Sequence, residues 1–308
     1  MKNSLIKNEI LIIKFGGLGD FCLSLNAMYN IKSKFFKDNL TLLTEKKYEI
    51  IAHESRWFNK IVSIDRSFFY FLDKLAIKKK IDCDNIDFVF DLQTSKRSTS
   101  YFNLFKKNGI QWSGLIKNSN FYHKNSKRDL MHTFDRQKEQ LSFANINKYL
   151  KPDFSWLFNG KSKEFKKFIL IVPGGSLRRK NKRIPINIYN EIIEKILKKN
   201  FLPILIGGTD ELELCNKIKK TLPKTINLCN KLDILELARL STDSSLIIGN
   251  DTGLMHLFSL NNQKMIVFFT KNSDPKLCAP VGENTKIIKY DEKEKYFVKR
   301  IFKIIDYL

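Results

Sequence analysis

The stretch ILIIKFGGLGD, residues 10–20, joins an apolar run to a glycine-rich turn and an acidic residue. A continuous apolar run without strict alternation is typical of a parallel strand that is buried on both faces. Gly16, Gly17 and Gly19 allow a tight turn and a close approach of a ligand to the backbone. The stretch therefore predicts a strand, a ligand-binding turn and a helix that begins at or near Asp20.

The same order of strand and helix recurs along the 308 residues. Apolar runs predict strands at residues 10–15, 40–44, 60–64, 87–92, 168–173, 202–207, 245–250 and 264–269. Amphipathic stretches predict helices at residues 21–36, 186–199, 211–220 and 292–307. This alternation predicts an α/β fold with two Rossmann-like doubly wound domains that face each other across a cleft.

A polar, irregular segment at residues 117–138 separates the two sets of strands, and Pro152 and Gly160 interrupt the pattern further on. We place an N-terminal acceptor-binding domain at residues 1–158 and a C-terminal nucleotide-sugar-binding domain at residues 159–308. The C-terminal helix could pack back on the first domain. The carboxyl ends of both sheets would then border the ligand site.

The composition is strongly basic, with 55 Lys and Arg against 32 Asp and Glu and a formal net charge of +23. Such a charge predicts attraction to nucleic acid, to an anionic membrane surface or to phosphorylated substrates. Lys, Asn and Ile are also over-used throughout, so compositional drift on solvated faces is the alternative explanation. Five scattered cysteines without a CxxC pair predict free thiols. Without a membrane-spanning apolar run or a signal peptide, we expect a cytoplasmic protein.

The first glycine-rich turn has two interpretations. A dinucleotide fingerprint would need a third glycine at the position of Cys22, so a nicotinamide-dependent oxidoreductase is disfavoured. Asp20 at a helix start is favoured by the helix dipole, although it would repel a phosphate bound there. The residues alone support a helix cap and a catalytic base equally for Asp20.

A second loop, VPGGSLRRKNKRIP at residues 172–185, carries a Gly-Gly-Ser turn followed by five cations. Backbone N–H groups near Ser176 could hold a phosphate, and the cations could neutralise it. The alternative is a solvated basic turn ahead of a helix that begins at Pro185. We favour the anion site, because closely spaced cations repel one another unless an anion offsets them.

A third motif, IIGNDTGLMHLFSL at residues 247–260, predicts a strand followed by a helix that begins at Asp251-Thr252-Gly253. Free N–H groups at this helix start could bind a pyrophosphate, with His256 one turn along. The alternative is that Asp251 or Thr252 simply caps the helix and that His256 is a buried histidine with satisfied hydrogen bonds.

A fourth motif, LIGGTDELE at residues 205–213, forms another turn between a strand and a helix. Glu211 or Glu213 could bind ribose hydroxyls there, and ordinary surface charge is the alternative. The four histidines show no metal-ligand spacing, and Asp82-Cys83-Asp84 precedes a strand as a polar turn. We therefore expect no metal and no cofactor.

These motifs, in this order, resemble glycosyltransferase family 9, the bacterial lipopolysaccharide heptosyltransferases, over nearly the whole chain. The family's G-x-L-G-D, P-G-x-S, K-R-W-P and D-T-G-x-x-H segments match residues 16–20, 173–176, 182–185 and 251–256. A looser Gly-Gly-x-x-E match ends at Glu211. Two departures are Ile184 in place of the usual Trp and Met255 in place of a small residue.

The resemblance implies a GT-B fold, with the acceptor on the N-terminal half and an ADP-sugar on the C-terminal half. It implies that Asp20 is the general base and that its loop on the acceptor side contains Gly16, Gly17 and Gly19. The implied donor-binding residues are Ser176, Lys182, Glu211, Asp251, Thr252, Gly253 and His256.

From these features we expect a glycosyltransferase that moves a sugar, heptose from ADP-heptose, with inversion onto a lipopolysaccharide-core or other surface-glycan acceptor. The expected partners are the nucleotide-diphosphate sugar and an anionic glycolipid at the inner membrane surface, to which the protein would attach peripherally as a monomer. The alternatives are a related transferase with another nucleotide sugar and a non-catalytic nucleic-acid binder. No helix-turn-helix, RRM or zinc pattern supports the latter, so we expect no nucleic-acid partner.

Overall fold

A computed structural model describes residues 7–105, 109–162, 164–294 and 296–308, without the side chain of Arg178. The chain divides into two compact units, one ending at Asp153 and the other formed by Phe154–Leu308. The domain boundary expected after residue 158 thus falls inside the second unit, at the end of a short helix.

The first unit contains one parallel sheet with helices between its strands. Its strands are β1 (Glu9–Ile13), β2 (Asn39–Thr44), β3 (Lys60–Ser63), β4 (Phe88–Asp91), β5 (Gln111–Gly114) and β6 (Phe121–Tyr122). Its helices are α1 (Leu18–Lys34), α2 (Glu49–Ser55), α3 (Tyr70–Lys80), α4 (Lys96–Thr99) and α5 (Thr133–Phe143). The strand order is β3-β2-β1-β4-β5-β6, and every pairing is parallel.

The second unit repeats this plan. Its strands are β7 (Phe168–Val172), β8 (Leu202–Leu205), β9 (Ile226–Asn227), β10 (Leu246–Asn250), β11 (Met265–Phe269) and β12 (Thr285–Lys289). Its helices are α6 (Ser155–Phe158), α7 (Ile186–Lys198), α8 (Leu212–Thr221), α9 (Ile234–Thr242), α10 (Gly253–Ser259), α11 (Pro275–Cys278) and α12 (Phe297–Asp306). The sheet is again parallel, in the order β12-β11-β10-β7-β8-β9. The predicted α/β class with two Rossmann-like domains is confirmed.

Apolar burial explains why these segments form these elements. The central strands β7, β10 and β11 are buried along their whole length, as expected for strands covered on both faces. On α12, Phe297, Ile301 and Ile305 repeat every four residues, and this stripe joins the core cluster that contains Ile192 and Ile196 of α7. The C-terminal helix therefore packs within its own unit.

In each sheet, the strand order reverses beside the first strand of the unit. The reversal lies between β1 and β4 in the first unit and between β7 and β10 in the second. Loops that leave the carboxyl ends of two such strands diverge and leave a crevice, which is where doubly wound folds bind ligands. The glycine-rich turn after β1 and the Gly-Gly-Ser loop after β7 both lie at these points.

All eight predicted strands are present, with ends shifted by one or two residues, whereas β5, β6, β9 and β12 were missed. Three of these, β6, β9 and β12, are sheet edges that are only partly buried. An edge strand needs fewer apolar residues, so it gives a weaker signal. The five cysteines are free thiols, as predicted. Among the described residues, no helix is long and apolar enough to cross a membrane.

Candidate functional site

In the second unit, Glu211 joins the loop after β7 to the loop after β8. Its Oε2 accepts a hydrogen bond of 2.7 Å from the backbone N–H of Gly208. A Cβ atom on Gly174 would lie 1.9 Å from Cγ of Glu211, and one on Gly207 would lie 2.7 Å from its Cβ. Both positions therefore require glycine so that the Glu211 side chain can fit between the loops.

The basic turn after this loop, Leu177–Lys182, does not act as one cluster of cations. The guanidinium group of Arg183 donates to the carbonyl oxygens of Gly175 and Asp210, so it holds two loops together. Arg179 and Lys180 are exposed to solvent. Among the cations of this turn whose side chains are described, Lys182 is the one that bonds to the predicted donor motif.

A buried ionic group connects the carboxyl ends of β7 and β10. The Nζ atom of Lys182 lies 2.6 Å from Oδ2 of Asp251, which also accepts a hydrogen bond of 2.5 Å from the Ser273 hydroxyl. The Nε2 atom of His256 lies 3.7 Å from Oδ1 of the same carboxylate. Burial alone would raise the pKa of Asp251, but the His256, Lys182 and Ser273 side chains outweigh it and lower the pKa to about 2.

Helix α10 begins at Gly253, and Thr252 occupies its N-cap position without a side-chain capping bond. Thr252 therefore stands at the cap position, as the alternative interpretation had it, but its side chain does not cap the helix. Within the described part of the chain, Oγ1 of Thr252 and Nδ1 of His256 are buried and have no hydrogen-bond partner. Because buried polar atoms are usually satisfied, these two atoms indicate where a ligand could bond. The helix has only 7 residues, so its dipole is a lesser contribution than the side chains.

Asn250, which the sequence analysis missed, fixes the geometry of this group. Its Nδ2 donates to the carbonyl oxygens of Pro173 at 2.7 Å and Gly174 at 3.1 Å, and its Oδ1 accepts from the N–H of Ile184 at 3.3 Å. The side chain is fully buried. The end of β10 is thereby bonded to both ends of the basic loop. The only feature of the sequence that pointed to this role of Asn250 was an amide at the end of an apolar run.

A further missed loop follows β11. The side chains of Thr270 and Asn272 donate to the carbonyl oxygen of Asn181 at 3.0 and 2.9 Å, next to Lys182. This loop and its neighbours line a cavity of about 840 Å³ in the second unit. The polar residues of this loop come directly after a buried strand, and that pattern could have predicted the loop from the sequence.

The two departures from the family pattern are core positions. Ile184 is 3% exposed and belongs to the core cluster of the second unit. Met255 is fully buried, and its sulfur would lie 2.9 Å from a Cβ atom on Gly249. Both residues therefore act through packing beneath the site.

In the first unit, the turn after β1 is held from both sides. Gly16 has a φ of +103°, which favours glycine. Its N–H donates to Oε1 of Glu45 at 3.0 Å, and its carbonyl oxygen accepts from the Tyr48 hydroxyl at 2.6 Å. Helix α1 begins at Leu18 with Gly17 as its N-cap, so the interpretation of Asp20 as the N-cap is wrong.

Asp20 lies in the first turn of α1, directly after Gly19, and is exposed. A Cβ atom on Gly16 or Gly17 would lie 3.5 or 3.6 Å from its Oδ2. The two glycines therefore leave one side of the carboxylate uncovered. The Oε1 atom of Gln93 lies equally close to the Gly16 position, 3.5 Å from such a Cβ atom.

Lys14 and Asp91, at the carboxyl ends of β1 and β4, interact electrostatically, and the charge of Asp20 also acts on Lys14. Lys14 is buried, and its Nζ lies 3.5 Å from the carbonyl oxygen of Leu92. Burial lowers the pKa of Lys14 to about 8, while the charges of Asp20 and Asp91 oppose this shift. Burial also raises the pKa of Asp91 to about 6.

The polar segment that separated the predicted domains adds an arginine to this region. Arg128 is buried and donates to Oγ1 of Thr94 at 2.6 Å and to Nδ1 of His123 at 3.2 Å. Nε2 of His123 lies 2.6 Å from Oε2 of Glu139 on α5. Sequence reasoning missed these residues, because polar residues give no apolar pattern when they are buried by pairing.

The structure thus groups Lys182, Thr252, Asp251 and His256 in the second unit, with Ser176 exposed at the end of the same glycine loop. Within the described ranges, no group of three or more His, Cys, Asp or Glu side chains could hold a metal ion.

The family model for glycosyltransferase family 9 (heptosyltransferase) matches residues 75–302. The chain therefore belongs to this family. It is an enzyme that transfers a sugar from a nucleotide-sugar donor.

Several relatives extend this likeness. Lipooligosaccharide heptosyltransferase 2 of Campylobacter jejuni subsp. jejuni serotype O:2 is 25% identical over 288 residues, which cover 89% of this chain and 84% of the relative. Lipopolysaccharide heptosyltransferase 1 of Campylobacter coli is 26% identical and covers 84% and 83%. The solved structure of the E. coli heptosyltransferase WaaC with ADP has a TM-score of 0.76 at 17% identity, covering 97% and 99%. The implied GT-B type of fold is confirmed.

The lowered pKa of Asp251 makes a pH dependence testable. Because its folded-state pKa of about 2 is below the usual 3.8, its ionised form stabilises the fold fully above pH 3.8. This contribution disappears as the pH falls toward 2. We expect Asp251→Asn to lower the free energy of unfolding by about 2 kcal/mol at pH 5, and the difference to shrink as the pH falls below 4.

Urea unfolding, followed by circular dichroism at several pH values, measures the free energy of unfolding of the wild type and of Asp251→Asn. A difference that stays constant between pH 5 and the lowest accessible pH would show that the charge of Asp251 contributes nothing.

Proposed function

We propose that this enzyme transfers heptose from ADP-heptose, with inversion at the anomeric carbon, to an anionic lipopolysaccharide-core or other surface-glycan acceptor. The observation that carries the proposal is the group formed by Lys182, Asp251 and His256 at the reversal of the second sheet. The names of the relatives, and the ADP in the E. coli WaaC structure, support this donor.

Lys182 is the residue proposed to hold the donor diphosphate. Its ammonium group is oriented by the 2.6 Å contact with buried Asp251, so little side-chain entropy is lost when an anion binds. Negative charge on the diphosphate grows as the glycosidic bond breaks. A fixed cation therefore stabilises the transition state more than the ground state. Thr252 and His256 offer their unpaired buried atoms to the same ligand.

Asp20 is the proposed general base. Its exposed carboxylate would accept the proton of the acceptor hydroxyl while that oxygen attacks the anomeric carbon and the diphosphate departs. The anomeric centre passes through an oxocarbenium-like state, as in other glycosyl chemistry. The uncovered side next to Gly16 and Gly17 supports access of an acceptor to this carboxylate.

The charge near Asp20 supports an anionic acceptor. Lys14, Arg128 and Arg136 act on one another electrostatically within the first unit, and all three are cations. Phosphate and carboxylate groups of a glycolipid would be attracted to such a set. We further propose that the enzyme works as a monomer at the cytoplasmic side of the inner membrane and binds no nucleic acid.

The identity of the donor can be tested by ligand-induced stabilisation. A ligand that binds only the folded state raises the melting temperature. We expect ADP and ADP-heptose to raise it, and UDP- and GDP-sugars to leave it unchanged at the same concentration. Thermal unfolding in each ligand measures this, and stabilisation by a UDP- or GDP-sugar alone would redirect the proposal to another sugar donor.

The base can be tested with Asp20→Asn, which keeps the shape and removes the charge. We expect sugar transfer to fall by about 10²–10⁴-fold, while the affinity for ADP is unchanged. Asp135→Asn is the matched control, because Asp135 is likewise an exposed acid in the first turn of a helix, α5. Full turnover by Asp20→Asn would exclude the residue as the base.

Lys182 can be tested with Lys182→Met, which keeps much of the side-chain length. We expect turnover to fall on the order of a hundredfold or more, whereas Lys180→Met, at an exposed neighbour, leaves it unchanged. Because we propose that protein cations replace a metal, the wild-type rate should persist in EDTA. The rate of product formation is measured for the wild type, Lys182→Met and Lys180→Met. A wild-type rate that falls in EDTA would contradict the metal-free proposal.

A further inference from the structure

An exposed apolar surface lies at the start of α3 in the first unit. It consists of Phe68, Phe69, Phe71, Leu72 and Leu75, which are 88%, 57%, 58%, 42% and 59% exposed. The rings of Phe68 and Phe69 are 5.3 Å apart, and those of Phe69 and Phe71 are 5.9 Å apart. Exposed apolar residues are ordinary when they are scattered, whereas a contiguous group marks an interaction surface.

The surface follows the periodicity of a helix. Leu75 lies four residues after Phe71 and three after Leu72, so the three side chains share one face of α3. The opposite face, with Asp73 and Ile77, is buried. One face of this helix therefore packs against the unit, while the other face exposes apolar side chains to water.

A buried polar network holds the surface in this position. The carboxylate of Asp73 accepts hydrogen bonds from the N–H of Ser67 at 2.9 Å and the hydroxyl of Tyr101 at 2.6 Å. It also lies 3.3 Å from the guanidinium group of Arg97, which stacks 4.5 Å from the ring of Tyr70. The segment is thus anchored at its base by the contacts of Asp73.

Lysine side chains lie next to this surface. Lys78 and Lys79 are exposed and continue the same helical face one turn beyond Leu75. Lys74 lies between Leu72 and Leu75 in the same helix. A short helix with aromatic and leucine side chains beside lysines is typical of segments that lie in a membrane interface. The net charge of +23 makes a second copy of this chain an unfavourable partner, because like charges repel.

We propose that Phe68, Phe69, Phe71, Leu72 and Leu75 form a membrane-docking surface that enters the headgroup region of an anionic phospholipid bilayer. Lys74, Lys78 and Lys79 would contact the lipid phosphates. The apolar and electrostatic contributions are both needed, because either one alone gives only weak attachment. This specifies how the proposed peripheral attachment occurs, and it does not depend on the donor or the base.

The experiment measures binding to vesicles of phosphatidylglycerol and phosphatidylethanolamine by co-sedimentation, without substrates. The test variant is Phe68→Ser/Phe69→Ser/Phe71→Ser, and the matched control is Phe36→Ser/Tyr296→Ser/Tyr307→Ser, which removes three exposed rings elsewhere. We expect the test variant to bind on the order of tenfold or more weakly, since burying a ring contributes about one order of magnitude. The control should bind like the wild type, and equal thermal unfolding of all three would show intact folds.

The variant Phe68→Trp and its control Phe36→Trp distinguish insertion of the surface into the bilayer from adsorption of the protein onto it. We expect vesicles to shift the tryptophan emission to the blue in Phe68→Trp only. Equal vesicle binding by the test variant and the wild type would overturn the proposal, as would an unshifted spectrum. A dimer that dissociates in the test variant during sedimentation velocity would assign the surface to self-association instead. Because turnover is not measured, failure here leaves the proposed reaction intact.

Discussion

The reversal of strand order beside β1 and beside β7 is the constraint on which both sites depend. At that point two parallel neighbours send their following loops in opposite directions. In the second unit, Asn250 fixes the resulting crevice by bonding to the carbonyl oxygens of Pro173 and Gly174. The loop that carries Lys182 is thereby fastened to the end of β10, and Thr270 and Asn272 hold it from the loop after β11.

Burial of charge at these crevices requires compensation, and the two units achieve it differently. In the second unit, Asp251 is surrounded by Lys182, His256 and Ser273, so its ionised form is strongly favoured. In the first unit, burial dominates, and the pKa of Lys14 falls while that of Asp91 rises. The difference arises because opposite charges and hydrogen bonds outweigh burial at Asp251, whereas they do not outweigh it at Lys14 and Asp91.

Several features of the fold were accessible from sequence because apolar burial leaves a pattern. The runs that became β1, β7, β10 and β11 lie in the interior of a sheet, where both faces need apolar side chains. The edge strand β9 and the polar segment around Arg128 left no such pattern. Their positions depend on hydrogen bonds to distant residues, such as the contact between Arg128 and Thr94.

The sequence by itself determined the α/β class, the family and the motifs that carry Asp20, Lys182 and His256, because glycine turns and buried strands have local requirements. Only the tertiary structure decided which cation of the basic loop bonds to Asp251 and which, like Arg183, holds the backbone. It also decided that the apolar face of α3 remains exposed, since Asp73 is anchored to Arg97 and Tyr101. Those outcomes follow from pairing between residues far apart in the chain, which local sequence does not encode.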